Sequence, residues 1–155
     1  MKQNKAEKLL VGVLSISLAM GVSVMPAFAA AGMQYEDMDH IVIRKNYELT
    51  NTGTASPAET FTFDIERDDV NDAAAGVTAA NMPLPTIGSV AYVKGEAGSA
   101  TKTKEIRIDL PTYNSVGVYT YIIHEVEGNK AGVSYYGDDI LLRVTVIEQD
   151  GKIRV

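Results

Sequence analysis

The chain has 155 residues, no cysteine or tryptophan, and a formal net charge of −6 at pH 7. Three Lys and one Glu lie in the first 29 residues, so the remaining residues carry a net charge of −8. An acidic surface of this kind argues against nucleic acid and against anionic membranes as partners. Without cysteine there is no disulfide framework, so the chain does without covalent cross-links or uses another kind of covalent bond.

The first 29 residues have the order of a secretory signal peptide. Lysines give a basic start, an apolar run over residues 9–25 is broken only by Gly and Ser, and Ala27-Phe28-Ala29 is a small-x-small cleavage site. A membrane anchor is the alternative, but the run is short for a span and the cleavage site follows it at once. We therefore predict a signal peptide over residues 1–29, with membrane contact only during export, and a linker over residues 30–39.

From His40 onward, apolar side chains recur with the period of two that is typical of half-buried β-strands. Short strands separated by turn signals predict one all-β domain over residues 40–155, a β-sandwich. Residues 90–93 form a further short strand, and residues 67–85 are expected to be a long acidic connection. The positions that share the inward faces are Ile41, Ile43, Lys45 and Tyr47; Phe61, Phe63 and Ile65; Ile106, Ile108 and Leu110; Tyr119, Tyr121, Ile123 and Glu125; and Ile140, Leu142, Val144 and Val146.

The last turn signal lies close to the end of the sequence. Asp150-Gly151 is a hairpin turn pair, and residues 152–155 begin the returning strand. Because the sequence stops four residues after this turn, we expect the domain to lack its final strand in this chain.

Two ionisable residues occupy inward positions in this pattern. Lys45 is in register with Ile41 and Ile43, and Glu125 is in register with Tyr121 and Ile123. A buried charge is costly unless it is paired. On periodicity alone, Lys45 can instead extend its amine to solvent or protect an edge strand, and Glu125 can mark the exposed end of its strand.

Six segments follow one another along the chain in a characteristic order. They are Ile41-Val-Ile-Arg-Lys45, Phe61-Thr-Phe-Asp-Ile65, Gly117-Val-Tyr-Thr-Tyr-Ile-Ile-His-Glu125, Gly132-Val-Ser-Tyr135, Leu142-Arg-Val-Thr-Val146 and Asp150-Gly151. This ordered set resembles the streptococcal pilin isopeptide linkage domain, the module of Gram-positive major pilins and surface-protein stalks. The resemblance implies an immunoglobulin-like sandwich with an intramolecular amide bond between a first-strand Lys and an Asn near the domain end, assisted by a Glu. By motif position, it assigns Lys45 as the cross-link donor and Glu125 as the assisting acid.

The chain departs from the family at the acceptor. In the family the acceptor Asn lies on the final strand, and no Asn of this chain fits that role. Asn46 adjoins Lys45 but points to the opposite face. We therefore expect the acceptor to be absent from this chain. The remaining candidates are expected in turns or loops; they are Asn51, Asn71, Asn81, Asn114 and Asn129.

The resemblance implies a structural module of a pilus or stalk, secreted to the Gram-positive cell surface, with neighbouring pilin or stalk domains as partners. Its cross-linking is a single autocatalytic event, so the domain is not an enzyme. The alternative is a ligand-binding adhesin domain on the same scaffold, with a host receptor or matrix component as its partner. A secreted hydrolase is a third class, but the sequence shows no catalytic constellation for it.

No cofactor or metal site is indicated by the sequence. His40 and His124 are far apart and lack Cys or His partners, and the acidic pairs Asp68-Asp69 and Asp138-Asp139 lack the spacing of a calcium loop. Leu84-Pro-Thr-Ile-Gly88 resembles a sortase sorting motif, but it leads into an interior strand rather than an apolar tail, so we interpret it as a connection.

Overall fold

The computed structural model describes residues 37–51 and 53–155, so the predicted signal peptide and most of the predicted linker lie outside the described residues. The described part is all-β, as predicted, with antiparallel ladders and no helix. It therefore contains no helix long and apolar enough to cross a bilayer. Its strands are β1 (His40–Asn46), β2 (Glu59–Phe61), β3 (Phe63–Asn71), β4 (Thr86–Ile87), β5 (Val90–Tyr92), β6 (Thr103–Asp109), β7 (Gly117–Glu125), β8 (Ile140–Gln149) and β9 (Lys152–Arg154).

The strands form three hydrogen-bonded sheets, in the orders β1-β6-β4, β2-β5 and β3-β7-β8-β9. Side chains from all three sheets meet in one apolar cluster, in which Ile108 of β6, Phe61 of β2 and Ile123 of β7 are at most 1% exposed. A second cluster under the longest sheet contains Tyr119 and Tyr121. This burial between facing sheets confirms the predicted sandwich.

The predicted inward faces are confirmed for the strands with clear alternation. In β1, the odd-numbered Ile41 and Ile43 pack against the core while Val42 is exposed. In β8, Val144 and Val146 are buried between exposed neighbours. Alternation positions these strands because one face of each must be removed from water.

The predicted hairpin at Asp150-Gly151 is also confirmed. β8 pairs with β9 through Gln149 and Lys152, which leaves a two-residue turn. Asp150 and Gly151 both have positive φ, 53° and 72°. A turn with two such residues matches the twist of an antiparallel pair.

The predicted connection over residues 67–85 is wrong in its first part. β3 continues to Asn71, and its outer half pairs with β7 after an irregularity between Arg67 and Asp69. The charged side chains of this segment are exposed on an edge strand, so it lacks the apolar alternation that marks a buried one. β4, at Thr86–Ile87, was also not predicted as a strand; it pairs with β6.

Candidate functional site

Lys45 lies near the end of β1, on the face that carries Ile41 and Ile43. β1 pairs only with β6 in the described structure, so it is an edge strand. The Lys45 side chain nevertheless turns inward and is 14% exposed. The amine therefore does not extend to solvent, which removes the simpler interpretation of its inward register.

Glu125 is the last residue of β7, where it lies opposite Phe63 of β3. Its side chain is 2% exposed, so it does not mark a solvated strand end. The Val126 amide donates a hydrogen bond to the Thr62 carbonyl at 2.9 Å. This contact continues the β3–β7 pairing past Glu125, so the main chain on both sides of Glu125 is held in the sheet.

The structure brings Lys45 and Glu125 together. The Lys45 Nζ is 2.7 Å from Oε1 and 2.6 Å from Oε2 of Glu125, so one amine contacts both carboxyl oxygens. The same Nζ lies 4.4 Å from the centroid of the Phe61 ring. Charge-assisted hydrogen bonds and a cation–π contact together compensate for removing the amine from water.

Apolar side chains surround the pair. A cavity of about 340 Å³ is lined by Lys45 and Glu125 together with Phe63, Ile106 and Ile140, among others. Because the Lys45 and Glu125 side chains are only 14% and 2% exposed, the electrostatic interaction between them is stronger than in bulk water. The cavity leaves room beside the pair for a further side chain.

The pair can exchange a proton without a change in net charge. Transfer from the ammonium to the carboxylate across the short contact leaves a neutral amine beside a carboxylic acid. A neutral amine is a nucleophile, and a carboxylic acid can donate a hydrogen bond to a carbonyl oxygen and later release its proton. The arrangement is therefore suited to attack by Lys45 on a carbonyl placed in the adjacent cavity.

Among the described asparagines only Asn46 lines the cavity, and its carboxamide does not contact the Lys45 amine. Asn46 points to the opposite face, where its amide donates to Glu48 and its carbonyl oxygen accepts from Thr103. Asn71 was predicted in a turn or loop but is the last residue of β3, where it is exposed and bonded to Asp69 at 2.8 Å. The remaining described asparagines are exposed and lie outside the strands; they are Asn51, Asn81, Asn114 and Asn129.

Two aromatic residues of the site were not singled out from the sequence. Phe61 was predicted only as a core residue, yet its ring makes a cation–π contact with the Lys45 amine. Tyr92, 2% exposed, donates a hydrogen bond from its hydroxyl to the Lys45 carbonyl at 2.7 Å. Alternation can place each on an inward face, but it cannot show which distant residue each contacts.

The other polar candidates lie apart from this site. His124 is on the face opposite Glu125, as predicted, and its Nδ1 lies 2.8 Å from Asp139. No group of three or more His, Cys, Asp or Glu side chains is placed to hold a metal ion among the described residues. The Leu84–Gly88 segment contains β4 and is therefore part of a sheet.

Comparison with known proteins agrees with the resemblance seen in the sequence. The model of the FctA family, described as a Spy0128-like isopeptide containing domain, matches residues 41–155. A protein named "Pilin" from Streptococcus pyogenes serotype M1 is 32% identical over 133 residues, which cover 81% of this chain and 38% of that pilin. The chain thus spans about two fifths of the length of this curated relative. No solved structure matches. Because the family model covers every strand except the first residue of β1, the chain belongs to the FctA family of Spy0128-like isopeptide containing domains.

Proposed function

We propose that this chain is a structural module of a Gram-positive pilus or surface-protein stalk, and that it matures by forming an autocatalytic Lys-Asn isopeptide bond. The observation that carries the proposal is the buried contact between the Lys45 amine and both carboxyl oxygens of Glu125, in a domain of the FctA family. Residues 1–29 direct export to the cell surface, and residues 30–39 link the signal peptide to the domain. Neighbouring pilin or stalk domains are its partners.

In the proposed reaction, Lys45 Nζ attacks the carboxamide carbon of an Asn. Glu125 first accepts a proton from the ammonium and then, as a neutral acid, donates a hydrogen bond to the carboxamide oxygen. A bond forms between Nζ and the carbonyl carbon, and the bond from that carbon to the amide nitrogen breaks. Glu125 passes a proton from the attacking amine to the departing nitrogen, which leaves as ammonia. The reaction occurs once per molecule, so there is no turnover.

The register of β8 and β9 suggests where the acceptor lies. Ile147 pairs with Arg154 and Gln149 with Lys152, so a strand that continued β9 along β8 would come to lie opposite Ile140. Extending the register places that position about seven residues beyond Arg154. Ile140 lines the same cavity as Lys45 and Glu125. This register supports the proposal that an acceptor Asn would lie near this position in a chain extended beyond β9.

Contacts between the end of β9 and the start of β1 support the same position for such a strand. The Met38 amide donates to the Val155 carbonyl at 3.5 Å, and Arg154 Nη1 lies 2.8 Å from Asp37. The end of β9 therefore lies beside the start of β1. A strand that ran on from there beside β1 would approach Lys45, because Lys45 lies seven residues beyond Met38.

The test is the intact mass of the chain extended through the next strand. Closure of the bond predicts a mass lower by one ammonia, and Lys45→Ala and Glu125→Ala each abolish the loss. Lys102→Ala is the matched control, because Lys102 pairs with Glu48 at 2.9 Å but is far more exposed than Lys45. The control should retain the loss. An extended chain of full mass would refute the cross-link.

A further inference from the structure

A second partly buried lysine lies next to the candidate site. Lys104 Nζ is 2.8 Å from Glu96 Oε2 and 2.8 Å from the Ala91 carbonyl, and it lies 4.5 Å from the centroid of the Tyr92 ring. The side chains of Lys104 and Glu96 are 28% and 15% exposed. The pattern of lysine, acid and aromatic ring repeats that of Lys45, Glu125 and Phe61, but the proposed cross-link does not use it.

The two lysines are direct cross-strand neighbours. Lys45 of β1 pairs with Lys104 of β6, so both side chains project from the same face of the sheet. Tyr92 connects them. Its ring lies beside the Lys104 amine, and its hydroxyl donates to the Lys45 carbonyl at 2.7 Å.

The Tyr92 hydroxyl is a donor at neutral pH, and its burial extends the pH range over which it can donate this bond. The desolvation of Tyr92 raises the pKa of its hydroxyl above the usual value, so it remains protonated in neutral and mildly alkaline solution. The ring is fixed by edge-on contacts with Tyr47 and Phe61, at centroid distances of 5.2 and 5.8 Å. The donor is therefore held in one place.

We propose that Tyr92 is a positioning residue for Lys45: its hydroxyl holds the Lys45 main chain so that the amine meets Glu125, and the Lys104–Glu96 pair holds Tyr92. The four-carbon side chain of lysine is flexible, so it does not by itself define where the amine lies. Fixing its main-chain origin on an edge strand restricts that position. Misplacement of about 1 Å can slow an intramolecular reaction by two orders of magnitude. The inference about the reaction rests on the proposed cross-link, whereas the inference about Lys45 geometry does not.

The first test needs no cross-link. The chain is treated with acetic anhydride, and the acetylation rate of Lys45 is measured by peptide mass spectrometry against that of exposed Lys152 in the same molecule. Since a hydrogen bond of this type contributes about 1 kcal/mol, Tyr92→Phe should raise the relative rate at Lys45 about 3- to 10-fold. Lys104→Met should also raise it, and Lys104→Arg should restore protection because a guanidinium can stack on the ring.

Tyr47→Phe is the matched control. Tyr47 belongs to the same aromatic cluster, but its hydroxyl donates to the Pro57 carbonyl at 3.3 Å rather than to Lys45. This variant should leave Lys45 labelling unchanged. Equal labelling of Lys45 in Tyr92→Phe and in the unaltered chain would overturn the proposal. An equal increase in Tyr92→Phe and Tyr47→Phe would also overturn it, because the increase would then reflect a general loss of stability.

The second test measures the rate of ammonia loss in the extended chain after cell-free synthesis. Tyr92→Phe should slow this loss about 5- to 10-fold, by loosening the reacting geometry, while Tyr47→Phe leaves it unchanged. If Tyr92→Phe closes as fast as the unaltered chain, the positioning role fails and the cross-link stands. If no form loses ammonia but the labelling result holds, the cross-link fails and the positioning role stands.

Discussion

Removing one partner of the Lys45–Glu125 pair should destabilise the domain strongly. Lys45→Met keeps most of the side-chain volume but leaves the Glu125 carboxyl, 2% exposed, without its amine. Breaking a buried ion pair by removing one partner costs about 3–5 kcal/mol. That loss is a large part of the about 5–15 kcal/mol by which a domain of this size is stable. The free energy of unfolding is measured by urea titration, followed by circular dichroism.

Two further variants make this prediction specific. Lys102→Met breaks the Lys102–Glu48 contact, which is also short, at 2.9 Å, but has side chains 37% and 56% exposed. An exposed pair contributes about 0–1 kcal/mol, so this variant should be nearly neutral. The double variant Lys45→Met/Glu125→Leu removes both charges and should regain most of the loss. Equal effects of Lys45→Met and Lys102→Met would refute the inference that the Lys45 pair lies in a low-dielectric site.

Three other results are expected. The closed isopeptide in the extended chain should raise the free energy of unfolding over that of its Lys45→Ala variant by at least about 4–5 kcal/mol, because it closes a loop of roughly a hundred residues; a smaller difference in urea titration would contradict this. Burial raises the pKa of Tyr113, so unfolding above the usual tyrosine pKa of 10.0 is accompanied by proton release. Tyr113 should therefore leave the free energy of unfolding unchanged below pH 10.0 and lower it by up to about 1.4 kcal/mol per pH unit above pH 10.0. Tyr113→Phe should reduce the slope of the urea midpoint against pH. Gly128→Ala should cost about 1 kcal/mol, because its Cβ would lie 2.3 Å from the Tyr135 hydroxyl and the end of that side chain would have to move, whereas Gly137→Ala, with nothing within 4 Å, should be nearly neutral in the same titration.

The strands that were predicted well are those that bury one face. β1 and β8 show regular alternation because every second side chain packs on the core, and the sequence records that constraint directly. In β7 the predicted inward side chains are buried as well, although Thr120 on its other face is also buried. The outer half of β3 carries Arg67, Asp68 and Asp69 with no buried face, and it is held by hydrogen bonds to β7. Main-chain pairing of this kind leaves no pattern of side chains to detect. β4 is too short, at two residues, to show any period.

The candidate site was predictable in its members but not in its geometry. Periodicity marked Lys45 and Glu125 separately as charged residues on inward faces, and the family resemblance gave them roles. Their contact joins residues 80 positions apart, and its distance depends on how two sheets pack. The hydrogen bond from the Tyr92 hydroxyl to the Lys45 carbonyl depends on how a third sheet, β2-β5, packs. No local pattern specifies such tertiary contacts.

The edge position of β1 determines how the domain responds to mechanical tension. Tension applied between Asp37 and Val155 first loads a long main-chain hydrogen bond and a solvent-accessible ion pair, both of which are weak. Once these part, β1 can separate from β6 one residue pair at a time, beginning with the hydrogen bond that the Leu110 amide donates to the Asp39 carbonyl and continuing through His40 and Asp109. A covalent bond at Lys45 would stop the peeling before it reached the end of the strand. The last residues of β1, and the core beneath them, would then be shielded from the load.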